Sequence, residues 1–263
     1  MISTLAVLAL FSFVVALALA LKQLRHRAVR KERNLFGEWP IRRVRPEAVD
    51  PILTPGPFGP TCDTEVAFIG RGPYVVDGGT SDAEAWILAV LAKRARTMFE
   101  FGTCTGKTAY LWARNSPSDS RVITVTLGPD HLGDYRREAS DDPTDVQFAL
   151  KESSHTEFLY SGTAVAPKVE QLFADSKALD VSRWAGRCDL VFVDGSHAYS
   201  YVVSDSAKAL ELVAPGGLVL WHDYAGPRHA AGVYRALNDL AQRLPLVRLE
   251  GTTLVAYRRP ADG

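Results

Sequence analysis

A chain of 263 residues can bury one full-sized core, and its length alone allows one or two domains. Its 30 basic and 30 acidic residues cancel, which excludes the strongly basic balance of a nucleic-acid binder. Cys62, Cys104 and Cys188 are widely spaced and form no CxxC pair, zinc pattern or disulfide framework, so a reducing compartment is the simpler expectation.

Ile2 to Leu21 carries no charge and is interrupted only by Ser3, Thr4 and Ser12. As a helix, twenty such residues span about 30 Å, the thickness of a bilayer's hydrocarbon core. The rival is a signal peptide cleaved after the Ala-rich stretch 16–20. It would have a basic n-region and an apolar core of about 7–15 residues, and this segment has neither. Positive charge follows the apolar run instead, at Lys22, Arg25, Arg27, Arg30, Lys31 and Arg33, with Arg42, Arg43 and Arg45 beyond. Such a flank stays cytoplasmic. The expectation is therefore a single-pass anchor at 1–21 in the inner (cell) membrane, with the bulk of the chain in the cytoplasm. The basic run also suits anionic lipid headgroups. Residues 22–74 read as this basic juxtamembrane segment and a linker, in which Pro40, Pro46, Pro51, Pro55, Pro57 and Pro60 interrupt regular structure. Residues 75–263 read as one domain.

Within that domain Ser81 and Glu84 fit a capping box, opening a helix with Trp86, Ile87, Val90 and Leu91 on one face. A strand at Thr97–Phe101 runs into Gly102-Thr103-Cys104-Thr105-Gly106, and a helix starts at Lys107. Further apolar runs at Val122–Leu127, Val169–Phe173, Cys188–Val193 and Leu218–Trp221 read as strands. Between the last two, a helix striped by Tyr199, Val202, Val203, Leu210 and Val213 is stopped by Pro215-Gly216-Gly217. Repeated strand–helix alternation implies a parallel sheet covered on both faces. Near the end, Leu246–Leu249 and Leu254–Tyr257 flank Glu250-Gly251-Thr252-Thr253, a hairpin-like link that makes one strand antiparallel.

The glycine loop narrows the ligand. A phosphate-cradling P-loop needs four residues between its glycines, and three stand between Gly102 and Gly106. A dinucleotide loop needs a middle glycine where this chain has Cys104. Cys104 reads as a small residue packed in a turn rather than a reactive thiol. S-adenosylmethionine has no phosphate and wants a loop at its methionine end and an acid near its amino group. Glu100 with the Gly102/Gly106 pair suits it best. A plain packing turn is the remaining reading.

In such a sheet a ligand lies across the carboxyl ends of the strands. Glu100, Thr126, Asp130, Asp175, Ser176, Asp194, His197, His222 and Asp223 all follow apolar runs at that edge. Asp194, His222 and Asp223 offer ligands for a divalent cation. His197 is a candidate general base, since imidazole titrates near neutrality. The plainer readings are that Asp194 caps the next helix and His222 bonds the backbone.

The runs Glu100–Gly106, Ala174-Asp175-Ser176, Asp189–Tyr199 and Pro215–Tyr224 resemble the class I S-adenosylmethionine-dependent methyltransferases, within them the bacterial group acting on sugars and other small molecules as O-methyltransferases. The resemblance spans about residues 75–257. It implies an α/β, Rossmann-like, seven-stranded sheet with helices on both faces and a C-terminal antiparallel hairpin, here preceded by one transmembrane helix. It implies that Glu100, Gly102, Thr103 and Gly106 hold the methionine part of S-adenosylmethionine, and that Asp175 and Ser176 meet the adenine. Asp194 and Asp223, joined by His222, would bind Mg2+ in metal-dependent members, and His197 with Asp194 would carry catalysis. Thr126 stands where the family places an acid that grips the ribose. The acceptor is expected to be a small molecule, a sugar or a lipid-linked group covered by the unpatterned segment 128–168, with no nucleic acid involved. The substituted Thr126 motivates the alternative of an impaired methyltransferase-fold subunit or scaffold of a membrane complex.

Overall fold

The computed structural model describes residues 4–30, 37, 39–70 and 79–261. Residues 1–3 of the expected anchor, Lys31 and Arg33 of the basic run, and the expected domain start at 75 lie outside these. The described residues divide into two units, one up to Pro40 and one from Ile41.

The first unit holds α1 (Thr4–Arg30). Its stretch Ala6–Arg25 has a mean hydropathy of 2.2 and is long and apolar enough to cross a membrane. Phe11 and Phe13 lie exposed on it.

The second unit is built on one eight-stranded sheet. Its strands are β1 (Arg42–Val44), β2 (Thr97–Phe101), β3 (Arg121–Thr126), β4 (Val169–Phe173), β5 (Cys188–Val193), β6 (Val213–Trp221), β7 (Val247–Leu249) and β8 (Val255–Arg258). The order across the sheet is β1-β7-β8-β6-β5-β2-β3-β4. β2 to β6 run parallel, and β8 inserts antiparallel between β6 and β7, as the hairpin pattern implied. The order reverses between β2 and β5, which opens a crevice at their carboxyl ends.

Helices cover both faces. Strand side chains alternate, so Met98, Val122, Leu190, Phe192, Leu218 and Leu220 face α2 (Asp82–Ala92) and α3 (Lys107–Asn115) in one buried cluster. The other parity faces α5 (Tyr199–Leu212), where the buried Trp221 Nε1–H donates to Ser206 Oγ at 2.8 Å. The capping box of α2 is present: Glu84 N–H donates to Ser81 Oγ, and Ser81 N–H returns a bond to Glu84 Oε2. α4 (Pro143–Glu152) lies in the segment between β3 and β4, and α6 (Ala231–Ala241) packs on α5.

Two expectations change. Residues 41–53 are not linker: β1 pairs with β7 as the eighth strand, and Val49, Ile52 and Leu53 enter the core beside Ile87 and Val90. Pro46 and Pro51 each stand in the first turn of a short 3-10 helix, where a proline's missing N–H costs nothing. Burying a Leu or Ile side chain stabilises by about 1.5–3 kcal/mol, so this segment helps hold the sheet. The stripe of α5 is also out of phase. Val203 is exposed, whereas Tyr201, Val202, Asp205, Ser206, Ala209 and Leu212 are buried. Two polar residues on the inward face hid the period.

Candidate active site

A cleft opens at the point where the strand order reverses, the place where an open α/β sheet takes a ligand. Gly102, Cys104, Thr126, Asp175, Ser176 and Asp194 line it. Gly102 has φ +99°, and a Cβ there would lie 2.0 Å from the carbonyl oxygen of Asp194, so only glycine lets β2 and β5 leave the sheet side by side. At Gly106 a Cβ would meet Tyr160 and Phe158 at 2.8 and 2.9 Å. The segment after α4 is pressed onto the loop there, and Leu159 N–H donates to Thr105 O at 2.9 Å.

Not every expected cofactor residue lines this cleft. Glu100 has the parity of Met98 and so turns toward the α2/α3 face, fully buried, its Oε2 accepting from Thr124 Oγ1 at 2.6 Å. Thr103 is buried too, with its hydroxyl between Thr124 Oγ1 at 2.8 Å and Gln171 Nε2 at 3.2 Å. Both brace the loop from beneath, and Gly106 caps α3 in the left-handed conformation. Burial, and then the charge of Asp194, push the Glu100 carboxyl up to about 8. Thr126 ends β3 with its side chain at the cleft, while Asp130 is exposed on the far side of Gly128-Pro129 and supplies no acid there.

Beside the cleft, sharing Asp194 and Ser196 with it, a smaller recess is lined by His197, His222 and Asp223. His222 is buried. Its Nδ1 lies 2.9 Å from Asp194 Oδ1 and 3.1 Å from Asp223 Oδ2. Its Nε2 faces Glu84 Oε2 at 3.3 Å, off the line of a good hydrogen bond. Burial opposes charge on this ring, but Asp194, Asp223 and Glu84 together hold its pKa well above the usual histidine value. Glu84 is meanwhile fixed by Thr253, whose N–H and hydroxyl donate to Oε1 at 2.7 and 2.8 Å. His197 Nε2 lies 2.8 Å from Asp223 Oδ2. Burial alone would depress His197, but that bond and the charges of Asp223, Glu152 and Asp194 lift it to about 9. Asp223 has φ +58°, a strained backbone of the kind kept at functional sites.

The structure therefore brings Asp194, His197, His222 and Asp223 together and sets Gly102, Thr126, Asp175 and Ser176 in the adjoining cleft. Sequence reasoning missed Glu84 as a member of the His222 cluster, because its capping-box role already accounted for it. It also missed Tyr135, Glu152, Ser196, Tyr201 and Asp205 on the cleft wall. An Asp on the inward face of α5 was the available signal for the last. Tyr135 stacks on Tyr201 with ring centroids 4.4 Å apart and bonds Ser196 Oγ at 2.8 Å. Asp141 accepts from Ser200 N–H and Oγ at 2.9 and 2.7 Å. These contacts fasten the segment between β3 and β4 over the cleft.

A cation fits the recess in kind. Asp194, His222 and Asp223 each present a ligand atom, all within 4.8 Å of one another. An imidazole with two carboxylates suits Mn2+, Fe2+ or Zn2+ better than Mg2+, which prefers oxygen and water. A proton on His222 Nδ1 and a metal on the same nitrogen exclude each other.

Residues 99–224 match a family model described as a methyltransferase domain. No curated protein matches the chain. Among solved structures similar to it is an O-methyltransferase of tomaymycin synthesis from Streptomyces achromogenes, in complex with S-adenosylmethionine. It is 23% identical, with 70% of this chain and 83% of that one covered and a TM-score of 0.47. An O-methyltransferase from Bacillus cereus in complex with S-adenosylhomocysteine is 16% identical, over 70% and 84%, with a TM-score of 0.45. A methyltransferase from Podospora anserina bound to S-adenosylhomocysteine is 15% identical, over 70% and 80%, with a TM-score of 0.47.

Proposed function

We propose that this chain, whose residues 99–224 match a methyltransferase-domain model, is a class I S-adenosylmethionine-dependent enzyme that methylates a hydroxyl oxygen of a small-molecule, sugar or lipid-linked acceptor while anchored in a membrane. The observation that carries the oxygen as target is the His197–Asp223 pair beside the glycine-loop cleft. With Nε2–H donating to Asp223, Nδ1 of a neutral His197 keeps its lone pair and can take the acceptor's hydroxyl proton. When bound, S-adenosylmethionine supplies a methyl on sulfonium, transferred in line to that oxygen as the carbon–sulfur bond breaks. Gly102 lines the cleft where the methionine end would lie, and Asp175 has a buried oxygen, Oδ2, without a partner at bonding geometry to meet a donor on the nucleoside end. Asp194, His222 and Asp223 would hold a divalent cation, which supplies a lower hydroxyl pKa and a fixed orientation. Positioning contributes most of the acceleration.

The apolar stretch Ala6–Arg25 and the basic residues at its carboxyl end support a single-pass anchor with the domain on the cytoplasmic side. Carbonate washing of membranes tests it; release of the chain would overturn it. Calorimetry of the full chain in detergent with S-adenosylhomocysteine, followed by a screen of catechol, sugar and quinol hydroxyls with methyl-labelled cofactor, tests the enzyme. Absence of cofactor binding at millimolar concentration would overturn it. Thr126 in place of an acid favours a second reading, a scaffold subunit of a membrane complex. Fixed-stoichiometry co-purification with an integral complex and an inert cleft would support that instead.

A further inference from the structure

Two carboxyl groups stand at one end of the cleft, and the sequence pattern accounts for only one of them. Asp175 follows β4. Asp205 projects from the inward face of α5 and is 1% exposed. Asp205 Oδ1 and Asp175 Oδ2 are each buried without a hydrogen-bond partner among the described residues. Buried polar oxygens are almost always bonded, so two orphans on one cleft wall call for a ligand. The groups around them are otherwise engaged. Lys208, one turn along α5 from Asp205, donates to the carbonyls of Ser176, Lys177 and Leu179, the last two at 3.0 and 2.7 Å. Lys177 Nζ goes to Arg136 O, Glu138 and Ser200, and Asp175 Oδ1 accepts from Lys177 N–H at 3.0 Å. The Ser176 hydroxyl bonds Asp205, and the Tyr201 hydroxyl bonds Asp175 while accepting from Arg136 N–H at 2.8 Å. Neither acid has an ion-pair partner among the described residues.

A buried carboxyl with a second one near it holds its proton more readily. Burial, with the charge of Asp175 added, pushes Asp205 up to about 7, which favours its protonated form. A protonated Asp205 together with the Asp175 carboxyl oxygen presents one donor and one acceptor. The matching ligand edge is neutral and carries an acceptor next to a donor. Adenine has such an edge, a ring nitrogen beside its exocyclic amine. Phe101, Leu127 and Ala149 give the cleft apolar surface for the flat ring.

We propose that Asp205 is a second base-reading residue of the cofactor site, donating its carboxyl proton to a ring nitrogen of adenine while Asp175 accepts from the exocyclic amine. The proposal rests on the methyltransferase reading and deepens it. It also explains how nucleoside binding persists with Thr126 at the ribose position: recognition is moved from the sugar to the base.

The test is calorimetry of the full chain in detergent with S-adenosylhomocysteine and with S-inosylhomocysteine, which replaces the amine by a carbonyl and the ring nitrogen's lone pair by N–H. The wild type is expected to prefer the adenosyl compound by about 100-fold or more, since unpaired polar groups discriminate strongly. Asp205→Leu is expected to weaken S-adenosylhomocysteine by about tenfold and to shrink the preference by a similar factor. Asp205→Asn keeps a donor and the shape. It is expected to bind within about threefold of wild type at pH 6.5 and to escape the weakening that wild type shows toward pH 9, where the Asp205 proton is lost. A purely structural Asp205 would change stability and leave both the preference and the pH slope as they are, and that result overturns the proposal. If Asp205→Leu does not fold, the slope of Asp205→Asn decides alone. Failure of wild type to bind S-adenosylhomocysteine would instead overturn the methyltransferase reading itself.

Discussion

His197 Nε2 lies 2.8 Å from Asp223 Oδ2, and the contact selects Nδ1 as the nitrogen that can accept a proton. It also raises the cost of having that nitrogen free. With His197 at about 9, most of the population is imidazolium at neutral pH and cannot act as a base. The basic form grows as pH rises through 9. Turnover on an acceptor found by the hydroxyl screen is therefore expected to climb toward alkaline pH with a limb near 9. His197→Asn removes the limb and lowers kcat by about 10²–10⁴, while S-adenosylhomocysteine affinity stays unchanged. A limb that persists in His197→Asn assigns the base elsewhere. The shift also carries stability. The charged, bonded ring stabilises the fold fully below the ordinary value of 6.5, and this contribution is lost as pH rises through about 9.

The His222 cluster makes metal binding a proton exchange. His222 is held protonated by Asp194, Asp223 and Glu84, so a cation taking Nδ1 must release that proton. Affinity for Mn2+ is expected to rise with pH through the neutral range, with proton release visible as a buffer-dependent heat in calorimetry. Mg2+ is expected to bind more weakly than Mn2+ because one of three ligands is imidazole. His222→Asp replaces that ligand with oxygen and is expected to reverse the preference toward Mg2+. Mn2+ binding that is independent of buffer and pH would place the cation away from His222.

Much of this site was legible because apolar runs ending in polar residues mark the carboxyl edge of a parallel sheet. Asp194, His222 and Asp223 meet there as the pattern said. The rest depended on facts that local sequence does not carry. Glu100 follows the apolar residues of its strand, yet alternation turns it under the loop rather than into the cleft. Residues 41–53 read as linker because six prolines crowd residues 40–60. Pairing of β1 with β7, some 200 residues away, decides that they belong to the sheet. Asp205 and Ser206 broke the apolar stripe of α5, and a buried acid on a helix gains meaning only once the strand and loop it faces are known.

Glu100 offers a test of the loop's foundation. A carboxyl with a folded value near 8 binds a proton that the unfolded chain has lost, so between about 4.5 and 8 stability falls as pH rises. Glu100→Gln keeps the shape, removes the titration and leaves the bond from Thr124 an oxygen to reach. Its Tm is expected to match wild type near pH 5 and exceed it at pH 9, by a gap worth at most a few kcal/mol. Thermal denaturation across that range measures it. A Gln variant less stable than wild type at pH 9 would mean that the fold requires the ionised form.

Glu152, the last residue of α4, links the covering segment to the base. It lines the cleft, its side chain has no hydrogen-bond partner among the described residues, and it is one of the charges that lift His197. Burial, with the charge of Asp194 added, raises its own pKa in return. Removing its charge should leave the imidazolium less favoured. Glu152→Gln is therefore expected to lower the His197 pKa by up to about one unit in an NMR titration of the imidazole protons, and to move the alkaline limb of turnover by the same amount. Cofactor affinity is expected to hold, because the base-reading acids lie on β4's loop and α5. An unchanged His197 titration in Glu152→Gln would show that α4 does not reach the catalytic pair in solution.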